Sequence, residues 1–372
     1  MIYLDNAATS FPKPRPVREA VLRAMRDCGG NPGRGAHRLS LAASRCVYDC
    51  REAVSELLGS HAPERIIFTA NTTHALNIAI KGLLHRGDHV LISELEHNAV
   101  RRPLCRLAQA GDVSFDVFPV VGRSTEQILA GLSERCLPHT RAVICTHASN
   151  ICSLTLPLAA IGSFCRAHGL LFLVDAAQSA GHLPIDMQSM QIDALAAPGH
   201  KGLLGISGCG ILALGEGILP ETLTEGGSGV HSMSARMPDE PPERYEAGTL
   251  PVPAIASLRA GINFLRERGL DTVRAKEEEL FCSLRDRLSS LPDVTLYAPE
   301  AVGAVLLFNR KGVAPAAVAR ELDNCGICVR AGLHCAPLAH AALGTPEGGA
   351  VRISLGPLNT VRDADALWRA LK

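Results

Sequence analysis

The segment CVRAGLHCAPLAH, residues 328–340, holds a cysteine in surroundings that could activate it. Cys335 directly follows His334, with Arg330 shortly upstream and Arg352 further along the chain. A neighbouring imidazolium or guanidinium favours the thiolate, which is the nucleophilic form of cysteine. Planar guanidinium groups are also suited to gripping a carboxylate. The pattern indicates either a nucleophilic cysteine beside a carboxylate site or a buried thiol beside two salt-bridged arginines.

Lys201, in the segment APGHKGLLG, is a second reactive candidate. It lies between His200 and Gly202, in a stretch that holds too much glycine for a solvated lysine on a helix. A lysine amine that is withdrawn from water can form a Schiff base with an aldehyde. A lysine exposed in a surface turn is the alternative that this segment alone leaves open.

Two further candidates stand where predicted strands end. Asp175 closes the apolar run LLFLVD, and Gln178 follows it in the same segment. A carboxylate there is costly to bury without a cationic or proton-bearing partner, and a protonated pyridine nitrogen would be one. His97 in SELEHNAV could stack on a flat aromatic ligand or shuttle protons. A helix cap or turn for Asp175 and a structural hydrogen bond for His97 are the alternatives.

Thr72 and Thr73, in TANTTHALN, stand at the start of a helical segment. Hydroxyls and free backbone N–H groups at that position can hold an anion such as a phosphate, or they can simply cap the helix. No single motif is specific. Together, a phosphate cup, a carboxylate for a pyridinium, a Schiff-base lysine, a stacking histidine and a carboxylate-binding arginine indicate pyridoxal 5′-phosphate and an amino-acid substrate.

The elements that must position these residues alternate between strands and helices. Strand-like runs such as RIIFT, HVLIS, RAVICTH and LLFLVD are separated by helical segments. Such alternation predicts crossover units and a mostly parallel sheet, with binding residues at the carboxyl ends of its strands. The Pro- and Gly-rich region 219–253 predicts long irregular loops. We therefore predict a large α/β domain followed by a smaller α+β domain.

Composition narrows the class of protein further. Of the 372 residues, 47% are hydrophobic and 20% charged, which is typical of a globular chain. Lys+Arg and Asp+Glu number 37 each, so nothing global favours a nucleic acid or an anionic membrane as partner. The first residues lack the pattern of a signal peptide, and no apolar run is long enough to span a membrane. The odd number of cysteines, 13, then indicates reduced thiols in the cytoplasm.

An ordered set of motifs carries a family resemblance along essentially the whole chain. YLDNAAT, FTANTTHALN, SELEHNA, HASN, LVDAAQSAGH, PGHKGLLG, RYEAGT and VRAGLHCAP resemble the class V aminotransferase-fold cysteine desulfurases and selenocysteine lyases. The resemblance implies a type I pyridoxal 5′-phosphate-dependent transferase fold of the aspartate aminotransferase kind. We expect residues 1–15 to pack near the small domain, residues 16–253 to form the large cofactor-binding domain and residues 254–372 to form the small domain.

The resemblance also assigns roles to matching positions. Lys201, Cys335 and His97 are expected to be catalytic: the lysine binds the cofactor aldehyde and removes the substrate's Cα proton, the cysteine accepts sulfur and the histidine stacks on the ring and shuttles a proton. The expected cofactor-binding residues are Thr72, Thr73, His97, Asp175, Gln178, His200, Lys201 and Thr249. The expected substrate-binding residues are Asn150, Arg330 and Arg352.

The implied reaction converts L-cysteine to L-alanine and leaves a persulfide on Cys335. Thr249 matches a threonine that reaches the partner subunit's cofactor, which implies a homodimer with shared sites. A sulfur-acceptor protein is a further expected partner. A selenocysteine lyase and an aminotransferase-like enzyme acting on another amino acid are the enzymatic alternatives, and a binding scaffold without turnover is the alternative from another class.

Some positions depart from the family pattern. Pro198 stands where a phosphate-binding serine is usual, and Ser153 where a glycine is usual. These departures bear on the substrate and the sulfur acceptor rather than on the cofactor. Cys325 and Cys328 have the spacing of a zinc or redox motif, but no second ligand pair at metal spacing accompanies them, so we expect structural roles and no metal.

Overall fold

The computed structural model describes residues 1–33 and 35–372. The strands are β1 (Ile2–Tyr3), β2 (Ile66–Thr69), β3 (Asp88–Ser93), β4 (Val113–Phe118), β5 (Thr140–Thr146), β6 (Leu171–Asp175), β7 (Ala194–Pro198), β8 (Gly210–Leu214), β9 (Val294–Tyr297), β10 (Val305–Arg310), β11 (Ile327–Cys328), β12 (Arg330–Gly332) and β13 (Ala350–Ser354). The α-helices are α1 (Arg15–Asp27), α2 (Arg38–Leu57), α3 (Thr72–Leu83), α4 (Asn98–Gln109), α5 (Thr125–Arg135), α6 (Leu158–His168), α7 (Val252–Arg268), α8 (Leu270–Ser289), α9 (Pro315–Asn324), α10 (Pro337–Ala342) and α11 (Val361–Leu371).

A seven-stranded sheet forms the larger part of the molecule, in the order β2-β8-β7-β6-β5-β3-β4. β7, β6, β5, β3 and β4 run parallel, whereas β8 runs antiparallel to both of its neighbours. The prediction of a mostly parallel sheet is therefore confirmed. β6 begins at Leu171, slightly later than the apolar run LLFLVD predicted.

Helices cover both faces of this sheet because both faces are apolar. Successive residues of β5 alternate between two clusters, with Val143 in one and Ile144 in the other. α3 and α4 pack on the face of Ile144, and α2, α5, α6 and α7 pack on the opposite face. The strands are consequently buried on both sides, which is why they read as continuous apolar runs rather than as alternating ones.

A second, four-stranded antiparallel sheet has the order β12-β13-β10-β9. Helices α8, α9 and α11 bury their apolar residues against it, including Phe281, Leu322 and Leu367. The first residues of the chain also join this part of the molecule, because β1 pairs with β11 and Asp5 bridges to Ser354.

Long irregular segments connect β8 to α7, as the Pro- and Gly-rich composition of residues 219–253 predicts. In the described residues no helix is both long enough and apolar enough to cross a membrane. Cys325 follows the last residue of α9 and Cys328 lies in β11, as expected for structural positions. Within residues 1–33 and 35–372, no three His, Cys, Asp or Glu side chains are grouped so that they could hold a metal ion.

Candidate active site

The carboxyl ends of five strands meet at one edge of the seven-stranded sheet. These strands are β2, β3, β5, β6 and β7, and most of the predicted site residues follow directly after them. In parallel α/β sheets this edge is where ligands bind, because the loops there can diverge without disturbing the strands. The fold therefore gathers side chains that are far apart in the sequence.

A cavity of about 110 Å³ lies at this edge. Its walls hold nine of the positions that the sequence analysis named: Thr72, Thr73, His97, Asn150, Asp175, Gln178, Pro198, His200 and Lys201. Thr146, at the end of β5, also contributes to the walls. Cys335, Arg330, Arg352 and Thr249 are not among the residues that line it.

Lys201 projects from a turn that is held by close backbone packing. A Cβ atom on Gly202 would lie 2.4 Å from the carbonyl oxygen of Ala180, and one on Gly181 would lie 2.6 Å from the carbonyl carbon of Gly202. The glycines of PGHKGLLG and QSAGH therefore let two turns touch. Burial lowers the pKa of the Lys201 amine to about 8, against the opposing charge of Asp175. An appreciable share of the amine is consequently neutral near neutral pH.

Asp175 ends β6 and is buried. Its Oδ1 accepts a hydrogen bond from the backbone N–H of Ala177 at 2.9 Å. Burial raises the pKa of this carboxyl, while the Ala177 N–H and the Lys201 charge oppose the rise. A buried carboxylate of this kind is stabilised by a cationic N–H partner, and the cavity has room for such a group.

His97 is the residue that caps the start of α4. Its Nδ1 accepts a hydrogen bond from the N–H of Ala99 at 3.0 Å. Burial, together with the positive charge of Lys201, lowers the pKa of His97 to about 4, so the ring is neutral. Because Nδ1 is an acceptor, the ring proton is on Nε2, which makes that atom the available proton donor.

The start of α3 forms a polar end of the cavity. The capping residue is Asn71, whose side chain accepts from the N–H of His74 at 2.9 Å, so the threonines of this motif are not the cap. Thr72 and Thr73 occupy the first helical positions, where N–H groups lack acceptors within the helix. The Thr72 hydroxyl and His200 Nδ1 are buried without hydrogen-bond partners. This end of the cavity is therefore built to receive an acceptor-rich group.

Arg352 and Arg330 share one carboxylate from the first residues of the chain. Arg352 donates to Asp5 at 2.7 Å, and Arg330 donates to the other oxygen of Asp5 at 3.1 Å. Arg352 also donates to the backbone carbonyl of Asn150 at 2.9 Å. Its Nε is buried with no partner, which leaves one strong donor free for a ligand. Asp5 had not been singled out by the sequence analysis.

The Cys335 loop is fastened to the rim of the cavity. His334 and Cys335 have positive φ angles of 48° and 58°, in the region that non-glycine residues seldom adopt. The N–H of Asn98, beside His97, donates to the carbonyl of Cys335 at 2.7 Å. The Asn150 side chain donates to the carbonyl of His334 at 2.8 Å. Cys335 is exposed, and the backbone of its loop is tied to Asn98, which follows His97, and to Asn150 in the cavity wall.

This arrangement matches a described protein family. The chain matches Aminotransferase class-V over residues 2–367. The chain belongs to this family. A protein of Methanothermobacter thermautotrophicus named "Probable cysteine desulfurase" is 34% identical, and the match covers 100% of this chain and 94% of the relative. A Salmonella agona protein named "Cysteine desulfurase" is 32% identical over 100% of this chain and 92% of its own length.

Solved structures agree with these relatives. The apo structure of a cysteine desulfurase from Thermococcus onnurineus superposes with a TM-score of 0.90 at 31% identity, covering 100% of this chain and 93% of the other. The cysteine desulfurase CsdA from Escherichia coli gives a TM-score of 0.88 at 29% identity, covering 99% and 93%. The predicted family and the type I transferase fold are therefore confirmed.

Class V aminotransferases depend on pyridoxal 5′-phosphate, and the residues of this cavity fit that group. The unpartnered Thr72 hydroxyl and His200 Nδ1, with the free N–H groups of α3, suit the phosphate. Asp175 suits the pyridine nitrogen and Lys201 the aldehyde. Gln178 donates to the carbonyl of Ala7 at 3.0 Å and has a second N–H to offer.

Glu96 is a further buried acid, next to His97, that sequence reasoning missed. Its Oε1 accepts from the Ser93 hydroxyl and from the N–H of Thr146, while its Oε2 is buried without a partner. Burial raises the pKa of Glu96 to about 8, and the nearby Asp175 charge adds to the rise. A signal existed in the sequence: a carboxylate directly before His97, in the segment that follows the apolar strand β3.

The two departures from the family pattern have different settings. Pro198 ends β7 and lines the cavity, where it offers neither a hydroxyl nor an N–H group. Ser153 lies away from that cavity, in the loop after β5, and bonds this loop to the smaller sheet. Its hydroxyl donates to the carbonyl of Val305 in β10 at 2.8 Å and accepts from the Val305 N–H at 3.0 Å. Ser153 therefore has a bonding role between the loop after β5 and the smaller sheet.

Proposed function

We propose that the protein is a cysteine desulfurase that converts L-cysteine to L-alanine and passes the sulfur to Cys335 as a persulfide. The observation that supports this most is the position of Asn150. Its carbonyl accepts from Arg352 at 2.9 Å, and its side chain donates to the residue before Cys335 at 2.8 Å. One residue of the cavity wall thus links a carboxylate-binding guanidinium to the thiol loop.

The substrate's carboxylate is bound by Arg352 through its unpartnered Nε. When bound, pyridoxal 5′-phosphate supplies an electron sink that stabilises negative charge on the substrate's α-carbon. Asp175 holds the proton on the pyridine nitrogen that makes this sink effective. The neutral Lys201 amine, favoured by its lowered pKa of about 8, takes the Cα proton.

The sulfur step balances without an external oxidant. The Cys335 thiolate attacks the sulfur of the substrate, so that an S–S bond forms and the C–S bond breaks. The electron pair of the broken bond stays with the substrate's β-carbon, which is protonated to give alanine. His97 carries its proton on Nε2 and is the proposed proton shuttle.

Further roles follow from the resemblance and are proposed with it. Thr72, Thr73 and His200 bind the phosphate, and Gln178 bonds the ring oxygen. Thr249, which is exposed, reaches the site of a second copy of the chain, so the protein acts as a homodimer with shared sites. The chain divides at residues 15 and 253 into an N-terminal segment, a large domain and a small domain.

Two proposals concern the setting of the enzyme. The persulfide is handed to a separate sulfur-acceptor protein, for which the exposed Cys335 thiol is accessible. The enzyme works in the cytoplasm, which agrees with thirteen cysteines that are all free thiols.

Steady-state assays of the cofactor-loaded protein test this function. With L-cysteine and a thiol reductant, alanine and sulfide should form in equal amounts over many turnovers. A strong preference for selenocysteine would make the protein a selenocysteine lyase. Formation of a keto acid would make it an aminotransferase, and cofactor binding without turnover would make it a scaffold.

A further inference from the structure

The residue before Cys335 is held by a chain of side-chain contacts outside the cavity. His334 Nε2 lies 3.3 Å from the carbonyl oxygen of Arg330, and His334 Nδ1 lies 3.2 Å from His340 Nε2. His340 Nδ1 in turn lies 2.8 Å from the Thr345 hydroxyl. His340 is buried and belongs to α10, and neither it nor Thr345 lines the cavity.

The donor and acceptor capacities of these groups determine which atom donates in each hydrogen bond of this series. The Arg330 carbonyl can only accept, so His334 Nε2 must donate. In a neutral ring His334 Nδ1 is then an acceptor, so His340 Nε2 must donate to it. His340 Nδ1 is then an acceptor as well and receives the hydroxyl proton of Thr345, which is shared with the backbone carbonyl of His340 at 3.2 Å. Burial keeps both rings neutral, since it lowers the pKa of His334 to about 3 and that of His340 to about 4.

This chain of hydrogen bonds lies next to a strained part of the backbone. His334 and Cys335 both adopt left-handed φ angles, which cost free energy in residues other than glycine. Bonds to the backbone fix the two carbonyl groups, but they leave the His334 ring free to turn. The contacts with His340 and Arg330 lock that ring and so complete the restraint on the loop.

We propose that His340 and Thr345 are positioning residues for Cys335: their hydrogen-bond chain fixes the His334 ring and keeps the thiol in its strained, exposed conformation. The functional part of this proposal rests on Cys335 being the sulfur acceptor. The conformational part does not, and it can be measured without substrate or cofactor.

Three variants separate hydrogen bonding from shape. His340→Leu removes both ring nitrogens, and Thr345→Val removes only the hydroxyl and keeps the branched shape. His340→Gln is the conservative rescue, because its amide N–H can donate to His334 Nδ1 in place of the imidazole. Thr140→Val is the matched control: Thr140 is also 2.8 Å from a histidine Nδ1, that of His89, but it lies at the start of β5, away from the site.

The first measurement is amide hydrogen exchange in the peptide 330–340 of the cofactor-free protein. We expect Thr345→Val to raise exchange about tenfold, the effect of losing one buried hydrogen bond, and His340→Leu, which loses two, to raise it at least as much. His340→Gln and Thr140→Val should match the wild type in that peptide. Wild-type exchange in both His340→Leu and Thr345→Val would overturn the proposal, as would equal impairment in His340→Gln and His340→Leu.

The second measurement is transfer of sulfur from L-cysteine to Cys335 in the loaded enzyme. His340→Leu and Thr345→Val should lower kcat about tenfold and leave KM for cysteine unchanged, because Arg352 is untouched. An equal loss in the Thr140→Val control, or a rise in KM alone, would contradict a positioning role. If the wild type itself transfers no sulfur, the proposed function fails, while the exchange experiment still decides whether His340 and Thr345 restrain the loop.

Discussion

Burial sets the charge state of the ionisable residues around this cavity. It lowers the pKa of Lys201 to about 8 and that of His97 to about 4, and it raises the pKa of Asp175. An amine that loses its proton readily, a neutral ring and a carboxyl stabilised by a cationic partner are the states that the proposed chemistry needs. Desolvation thus prepares the residues before any substrate binds.

Glu96 gives a pH-dependent prediction at the residue scale. Its pKa is about 8 in the folded protein, above the ordinary value of 4.5 for a glutamate side chain. Between these values the folded state holds a proton that the unfolded state has released, so stability falls as pH rises through this window. The loss saturates above the folded pKa. Glu96→Gln should remove this slope, on the order of 1 kcal/mol per pH unit.

Urea unfolding of the cofactor-free protein at pH 5.5 and 7.5 measures the Glu96 effect. The free energy of unfolding should fall more over that interval in the wild type than in Glu96→Gln. Glu64→Gln is a control at a carboxyl for which the fold provides no comparable burial. Parallel slopes in the wild type and Glu96→Gln would show that Glu96 is ionised in the folded protein.

At the level of helices and strands, residues 5–13 connect the smaller sheet to the turn that holds Lys201. Asp5 bonds both Arg352 and Arg330, and it is a partner of the nearly buried Arg352 side chain. Four donors converge on the carbonyl of His200, beside Lys201, and all of them come from residues 9–13. The first residues of the chain therefore stabilise both Arg352, the proposed substrate-binding arginine, and the turn that holds Lys201.

Asp5→Asn tests this link. The change removes the counter-charge of a buried guanidinium, so we expect the free energy of unfolding to fall by roughly 3 kcal/mol. The matched control is Glu19→Gln, which breaks the exposed pair with Arg15 at 2.6 Å and should leave the free energy of unfolding almost unchanged. Equal small effects in urea titrations would mean that Arg352 does not depend on Asp5.

Sequence patterns could predict the elements but not the long-range contacts between them. Apolar runs located the strands and TANTTHALN located the start of a helix because these signals are local, although the capping residue is Asn71 and neither of the two threonines. The glycines around Lys201 likewise indicated that this lysine does not lie on a helix. Asp5 and Arg352, in contrast, are 347 residues apart in the chain, and only the completed fold brings them together. The tie between Asn98 and the Cys335 loop could not be predicted for the same reason.

At the scale of the whole molecule, Thr249 tests whether two copies share their sites. Thr249 is exposed and does not line the cavity of its own chain. We expect Thr249→Ala and Lys201→Ala homodimers to be impaired, the first by weaker phosphate binding and the second by loss of the amine. If Thr249 acts across the dimer, a mixed dimer of the two variants contains one intact site.

Unfolding and refolding the two variants together, with separate tags for purification, gives the mixed dimer. Its activity should recover to about half that of the wild type, since one of its two sites is complete. No recovery above the Thr249→Ala homodimer would show that Thr249 serves its own chain.

The sulfur-accepting role of Cys335 is tested most directly by a single-turnover reaction of the loaded protein with L-cysteine. Alanine is quantified, and the Cys335 peptide is weighed by mass spectrometry without reductant. We predict equal amounts of alanine and of a Cys335 peptide that carries one added sulfur, and neither product from Cys335→Ser although this variant still binds cysteine. Alanine release by Cys335→Ser at the wild-type rate, or the added sulfur on another cysteine, would contradict the assignment.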